Sequence, residues 1–246
     1  VKRLLYLSLG LFLLSIPAFA QESTTKPAKS YARPDIPGTF VVELGFNRPF
    51  DRPVNFNIGL WGSRTLNIYY QYEIRILKSK FSFVPGIGFG LERYKFTNNY
   101  ILINNNDNTS SLVPAGQPGY PGTKKSQLIT DYFDIPLELR FSTRPEDPTK
   151  SFKVSIGGRV GYLFDSYTKI KYDDNGETKK FKSHQSFNLN NFRYGLQARI
   201  GVGNFSIFGY YNLSPLFKNG KDPSPSANNV TTSMKNFTIG ISLSSF

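Results

Sequence analysis

The chain of 246 residues has no cysteine and only one each of histidine, methionine and tryptophan. Without cysteine there is no disulfide framework, zinc ribbon, iron–sulfur ligand set or thiol nucleophile. A single His and a single Met leave little from which to build a haem or imidazole-metal site. After Ala20 no run of about 18 apolar residues occurs, so no later segment reads as a membrane-spanning helix. Acidic residues are also scarce, 17 against 30 Lys+Arg, for a net charge of +13. Such an excess suggests nucleic acid at first sight. The basic residues are dispersed, however, and do not form the stripe a nucleic acid would need. What is abundant is aromatic and small: 22 Phe, 15 Tyr and 21 Gly. That balance points to strands and long polar loops, in a chain long enough for a core of its own.

Residues 1–20 read as a secretory signal peptide. Lys2 and Arg3 precede an apolar run over 4–16, and Ala18-Phe19-Ala20 supplies the small-x-small cleavage pattern. Residues 21–37, polar and rich in Pro, read as a flexible segment. The remaining part, 38–246, reads as one barrel domain.

Within it, apolar residues recur at every second position in eight stretches, the mark of strands with one apolar face. They are 39–47, 64–77, 80–92, 128–142, 151–165, 191–202, 204–213 and 235–244. In the second, Leu66, Ile68, Tyr70, Tyr72, Ile74 and Ile76 share one face, and Asn67, Tyr69, Gln71, Glu73 and Arg75 the other. Connections alternate between long (48–63, 95–127, 166–190, 214–234) and short (78–79, 143–150, 203). Long loops on one side and short turns on the other are expected of an outer-membrane barrel. The predicted fold is therefore all-β: an eight-stranded antiparallel up-and-down transmembrane β-barrel, in the outer membrane, with both ends of the barrel chain on the periplasmic side.

A soluble barrel would alternate too, with its apolar face inside. The polar face here carries Gly86, Gly88, Gly90, Gly157, Gly161, Gly195, Gly201 and Gly240. Small residues of this kind make room for large neighbours in a narrow interior. It also carries acids (Glu43, Glu73, Glu92, Asp134, Glu138, Asp165) and bases (Arg75, Arg140, Lys153, Arg159, Arg193, Arg199) in equal number. An eight-stranded lumen is just wide enough for such side chains to fill it. Glu43, Glu73, Arg75, Asp134, Glu138, Arg140, Arg159, Arg193 and Arg199 are the expected lumenal charge network. On the apolar face charges are confined to Arg93, Asp131 and Lys235, at the loop end, where a charge facing lipid costs least.

No catalytic, cofactor or metal site is expected. His184 sits in a loop beside Ser183 and Ser186 and reads as a surface residue rather than the base of a nucleophile. Tyr172-Asp173-Asp174-Asn175-Gly176-Glu177 lacks the spacing of a calcium loop, and Asn175-Gly176 favours a tight hairpin turn. Residues 104–108 and 114–122 read as loop tips. The basic excess of the long loops reads as an even collar facing anionic outer-membrane lipid such as lipopolysaccharide.

Tyr132-Phe133-Asp134-Ile135-Pro136-Leu137-Glu138-Leu139-Arg140-Phe141, Gly157-Gly158-Arg159-Val160-Gly161-Tyr162-Leu163 and Phe83-Val84-Pro85-Gly86-Ile87-Gly88 resemble strands of the PorT-like outer-membrane barrels of Bacteroidetes. Phe246 resembles the terminal aromatic read by barrel-assembly machinery. The resemblance implies a non-enzymatic envelope protein that assists type IX secretion, with secretion-system proteins as partners. The alternative is a structural or adhesion barrel that binds partners through its long external loops.

Overall fold

The computed structural model describes residues 38–107, 109–223 and 233–244. The expected signal peptide, the segment 21–37, Asn108 and Phe246 lie outside the described residues. Among the described residues twelve strands follow in chain order. They are β1 (Thr39–Phe50), β2 (Arg64–Gln71), β3 (Ile74–Arg75), β4 (Phe81–Phe96), β5 (Tyr100–Asn104) and β6 (Ser110–Pro114). Then come β7 (Lys125–Ser142), β8 (Phe152–Asp174), β9 (Glu177–His184), β10 (Phe192–Val202), β11 (Phe205–Asn212) and β12 (Lys235–Ser244). Among the described residues no helix is long and apolar enough to cross a membrane, which says nothing about crossing by strands.

Each strand of the ring pairs antiparallel with its chain neighbour, in the order β1-β2-β4-β7-β8-β10-β11-β12, and β12 closes onto β1. This is the eight-stranded up-and-down barrel. Closure leaves no open edge, as a strand structure in lipid requires.

Polarity is inverted relative to a water-soluble protein. Glu43 and Arg159 are 0% and 1% exposed, whereas Phe40, Leu44 and Ile156 on the same strands are 57%, 51% and 66% exposed. Apolar side chains face outward because their solvent is hydrocarbon, and polar ones face one another inside.

The second predicted strand is interrupted. Tyr72 donates its N–H to the carbonyl of Pro85 (2.9 Å), but Pro85 has no N–H to return. The ladder lapses at Tyr72 and Glu73 and resumes as β3 in unchanged register, Gln71 opposite Gly86 and Ile74 opposite Phe83.

Several strands run further outward than their apolar faces predict. β4 continues to Phe96, β7 begins at Lys125, and β8 extends to Asp174, through residues expected to be loop. Period two persists there, but its sense reverses. Tyr94, Phe96 and Leu128 are buried inside, while Arg93, Lys95 and Lys125 point outward. The barrel has left the membrane at this height, so water lies outside and apolar residues turn in. A register shift between Asp131 and Tyr132 accompanies the change. The extra residue on β8 turns Asp165 outward, opposite Asp131, rather than into the lumen where the unbroken alternation would place it.

Candidate functional site

The interior has two layers, an ionic lumen and an apolar cap. In the lumen, period two on β1, β4, β7, β8 and β10 brings Glu43, Glu92, Asp134, Glu138, Arg159, Arg193 and Arg199 into one buried column. Its outer half centres on Arg193. The guanidinium donates Nε and Nη2 to Asp134 (3.1 and 2.6 Å) and Nη1 to Glu92 (2.6 Å). Tyr69 donates its hydroxyl to Asp134 (2.9 Å) and Tyr94 to Glu92 (2.6 Å). The Tyr132 ring lies 3.8 Å from the Arg193 guanidinium carbon.

The periplasmic half is a chain. Arg159 donates to Gln197 (2.9 Å) and Glu43 (3.2 Å), and its guanidinium lies over the ring of Tyr210 (4.3 Å). Arg199 bridges Glu43 (2.5 Å) and Glu138 (3.1 Å). Gln71 and Gln197 each donate an amide N–H to Glu138, and Asn67 donates to Glu43. Arg140 continues the chain towards the periplasm, 3.7 Å from Glu138 and 2.9 Å from Glu73. Glu73 stands at the periplasmic mouth, where Lys153 and Ser155 help line a cavity of about 140 Å³.

Of the nine residues predicted from sequence, the structure thus brings Glu43, Asp134, Glu138, Arg140, Arg159, Arg193 and Arg199 together and places Glu73 at the rim. Arg75 is not among them. It lies beyond the lapse at Pro85, at the periplasmic end, and bonds the carbonyls of Lys78 and Ser79 and the carboxylate of Glu146. Glu92, absent from the predicted set, is a full partner of Arg193. Its phase on β4 was the available signal. The amides and phenols that complete the network carry no charge to mark them.

The cap lies above this column. Phe56 from the first long loop, Leu102 and Leu112 from the β5–β6 hairpin, Phe187 and Leu189 from the third loop, and Leu216, Phe217 and Met234 from the fourth pack on Tyr94, Phe96 and Leu128. All four loops therefore share one apolar core at the outer mouth. Backbone bonds tie them together: Thr97 to Asn57, Asn190 to Leu216, and Lys218 to Asn188. The Asn190 amide donates to the carbonyls of Pro215 (2.7 Å) and Phe217 (2.8 Å). The turn that inserts Phe187 takes left-handed backbone at Phe187 and Asn188, an uncommon conformation for a bulky side chain.

Beyond the cap, β8 and β9 form a projecting hairpin that turns at Asn175-Gly176, both with positive φ. Two of its carboxylates are engaged by lysines, Asp173 by Lys124 (2.7 Å) and Asp174 by Lys179 (2.6 Å). At the β5–β6 tip, the hydroxyl and amide of Thr109 hold Asp107 below the usual carboxylate range. His184 stacks on Tyr167 and approaches Asp165 at 3.1 Å, on the exposed rim. The neighbouring Ser166 hydroxyl donates to the carbonyl of Gln185.

The family model described as outer membrane protein beta-barrel domain matches residues 19–218. Among solved structures, the chain is similar to Ail, the attachment invasion locus protein of Yersinia pestis, crystallised with the heparin analogue sucrose octasulfate. Identity is 14%, TM-score 0.32, covering 85% of this chain and 97% of that one. Neisserial surface protein A is similar at 12% identity and TM-score 0.33, covering 84% of this chain and 95% of the other. Comparison with curated proteins finds no match.

Proposed function

The chain belongs to the outer membrane β-barrel domain family and is an outer-membrane protein; from that premise we propose that it is a non-enzymatic, sealed barrel working through the surface of its folded outer loops. The observation that carries this reading is the double closure of the interior. Ion-paired side chains fill the lumen, and the shared apolar core of the four loops covers it. Eight strands leave no room for a diffusion path beside such a filling. A loop cap with its own core presents a defined surface, and the β8–β9 hairpin adds a strand, β9, whose residues are nearly all exposed. Structural support of the envelope, or adhesion through this platform, follows.

A second reading, assistance to type IX secretion, is favoured by one observation: the wording of the strands at 132–141 and 157–163 resembles PorT-like barrels. One strain set addresses both readings. A deletion strain is complemented with wild type or with a variant in which Thr168 and Ser183, which face each other in register, are joined by Asn-Gly. The platform reading expects the short-hairpin variant to fold and to fail in restoring surface adhesion or envelope integrity. Full restoration would sink it. An altered set of secreted proteins in the deletion strain would favour the secretion reading.

A further inference from the structure

The outer ends of β2, β4 and β7 carry a group of cations that the lumen does not use. Arg64 opens β2, Arg93 and Lys95 alternate outward near the end of β4, and Lys125 opens β7. One step deeper, on the lipid-facing side, Leu44, Leu66 and Leu91 stand opposite one another across three strands. The next residue outward along the β2–β4 ladder sets Arg64 against Arg93, because Thr65 pairs with Glu92.

A short 3-10 turn, Leu60–Gly62, closes the side. Arg64 donates Nε to the carbonyl of Trp61 (2.7 Å), and the stem of Lys95 lies directly over Gly62, where a β-carbon would overlap it. These residues enclose an open hollow of about 470 Å³ with leucines at its base, tryptophan at its side and cations at its top. Among the described residues none of the four cations forms a close ion pair, although Asp131 is an electrostatic neighbour of Arg93. The outward carboxylate of the next strand, Asp131, stands opposite Leu91, and the neighbours further out are Lys169 and Lys171. Within the basic collar expected from loop composition, three strands thus deliver four cations to one place.

Arg93, Lys95 and Lys125 act on one another as like charges, with Asp131 beside Arg93 as a single acid, and a multiply charged anion relieves the remaining repulsion. A soluble anion would satisfy the cations and leave the leucine row to be covered by something else. A neutral lipid would cover the leucines and leave the cations unpaired. A ligand with acyl chains below and phosphates above meets both demands. We propose that this hollow is a specific site for a phosphorylated outer-leaflet glycolipid, its phosphates on Arg64, Arg93, Lys95 and Lys125 and an acyl chain along Leu44, Leu66 and Leu91. The proposal is independent of any partner on the loop platform.

Trp61 is the only tryptophan of the chain, so its fluorescence reports this hollow alone. The full-length protein in detergent micelles is titrated with bisphosphorylated lipid A. The expected result is a saturable blue shift, with at least tenfold more lipid needed for the double variant Arg93→Gln, Lys125→Gln and wild-type behaviour for Lys180→Gln. Heat-dependent gel mobility verifies folding. If the double variant does not fold, Lys95→Gln is used, with roughly threefold weaker binding expected. Equal titration of a folded double variant and wild type, or an equal response to dephosphorylated lipid A, would overturn the proposal. So would the same shift with inorganic phosphate alone, which would make this a soluble-anion site.

Discussion

Arg193 and Asp134 lie side by side in the lumen, joined by parallel bonds of 3.1 and 2.6 Å, in a slot that exists only because residues 90 and 161 are glycine. A β-carbon on Gly90 would stand 2.2 Å from Arg193 Nη2, and one on Gly161 would stand 2.2 Å from Asp134 Oδ1. Glycine weakens a strand, so its presence on this face reflects the space taken by the charged pair.

Substitution at these glycines therefore tests the lumen packing. Gly161→Ala is expected to destabilise the barrel by about 1–3 kcal/mol through overpacking. Gly158→Ala, where the nearest atom is the Gly195 carbonyl at 3.5 Å, is expected to leave it unchanged. The temperature at which the folded form loses its faster gel mobility measures both, and equal shifts would refute the assignment.

Loss of an arginine should cost more the deeper it lies. Arg193→Ala strands Glu92 and Asp134, and Arg159→Ala leaves Glu43 with one arginine fewer. Removing one partner of a buried pair costs about 3–5 kcal/mol in soluble proteins. Arg140→Ala, at the solvent-reached mouth, should cost less, and Lys179→Ala in the outer hairpin should not move the heat-mobility transition. An Arg140 effect as large as that of Arg193 would contradict the layered burial.

The cap should open without unfolding the barrel. Phe217→Ala removes a ring that packs against Phe56, with centroids 6.2 Å apart, and truncating a buried Phe costs about 3–5 kcal/mol. Limited proteolysis is expected to cut the third and fourth long loops faster in this variant, while the barrel keeps its heat-dependent mobility. Single-channel conductance should stay low, because the ion-paired column below remains. A large conductance would show that the cap, not the column, seals the interior.

The outer hairpin should be separable again. Gly176 has φ of 84° and Asn175 of 51°, the left-handed pair of a two-residue hairpin turn. Gly176→Val is expected to cost about 1–2 kcal/mol locally. Amide exchange should rise in β8 beyond Thr168 and in β9, with the heat-mobility transition unchanged. Loss of the folded gel form would place the hairpin in the barrel's own stability.

The barrel was legible in the sequence because its solvent is. Lipid outside and a packed polar lumen inside force a strict alternation, as at Leu66, Ile68 and Tyr70 against Asn67, Tyr69 and Gln71. Alternation assigned Asp134, Glu138, Arg159, Arg193 and Arg199 to one face. It assigned Arg75 to that face as well, but phase does not tell where along the axis a strand leaves the barrel. The outer extensions were hidden for a related reason. Arg93-Tyr94-Lys95-Phe96 keeps the period and reverses its sense, so a search for outward apolar residues ends too early.

The sequence by itself determined the number of barrel strands, their topology, the grouping of the long loops at one end and the sign of nearly every lumenal position, since these depend on local pattern and on the solvent each face meets. Tertiary structure alone decided which acid meets which base, that four loops distant in sequence share one apolar core, and that Arg64, Arg93, Lys95 and Lys125 gather above a row of leucines. Those outcomes depend on strand register and barrel closure, which bring together residues that no spacing along the chain relates.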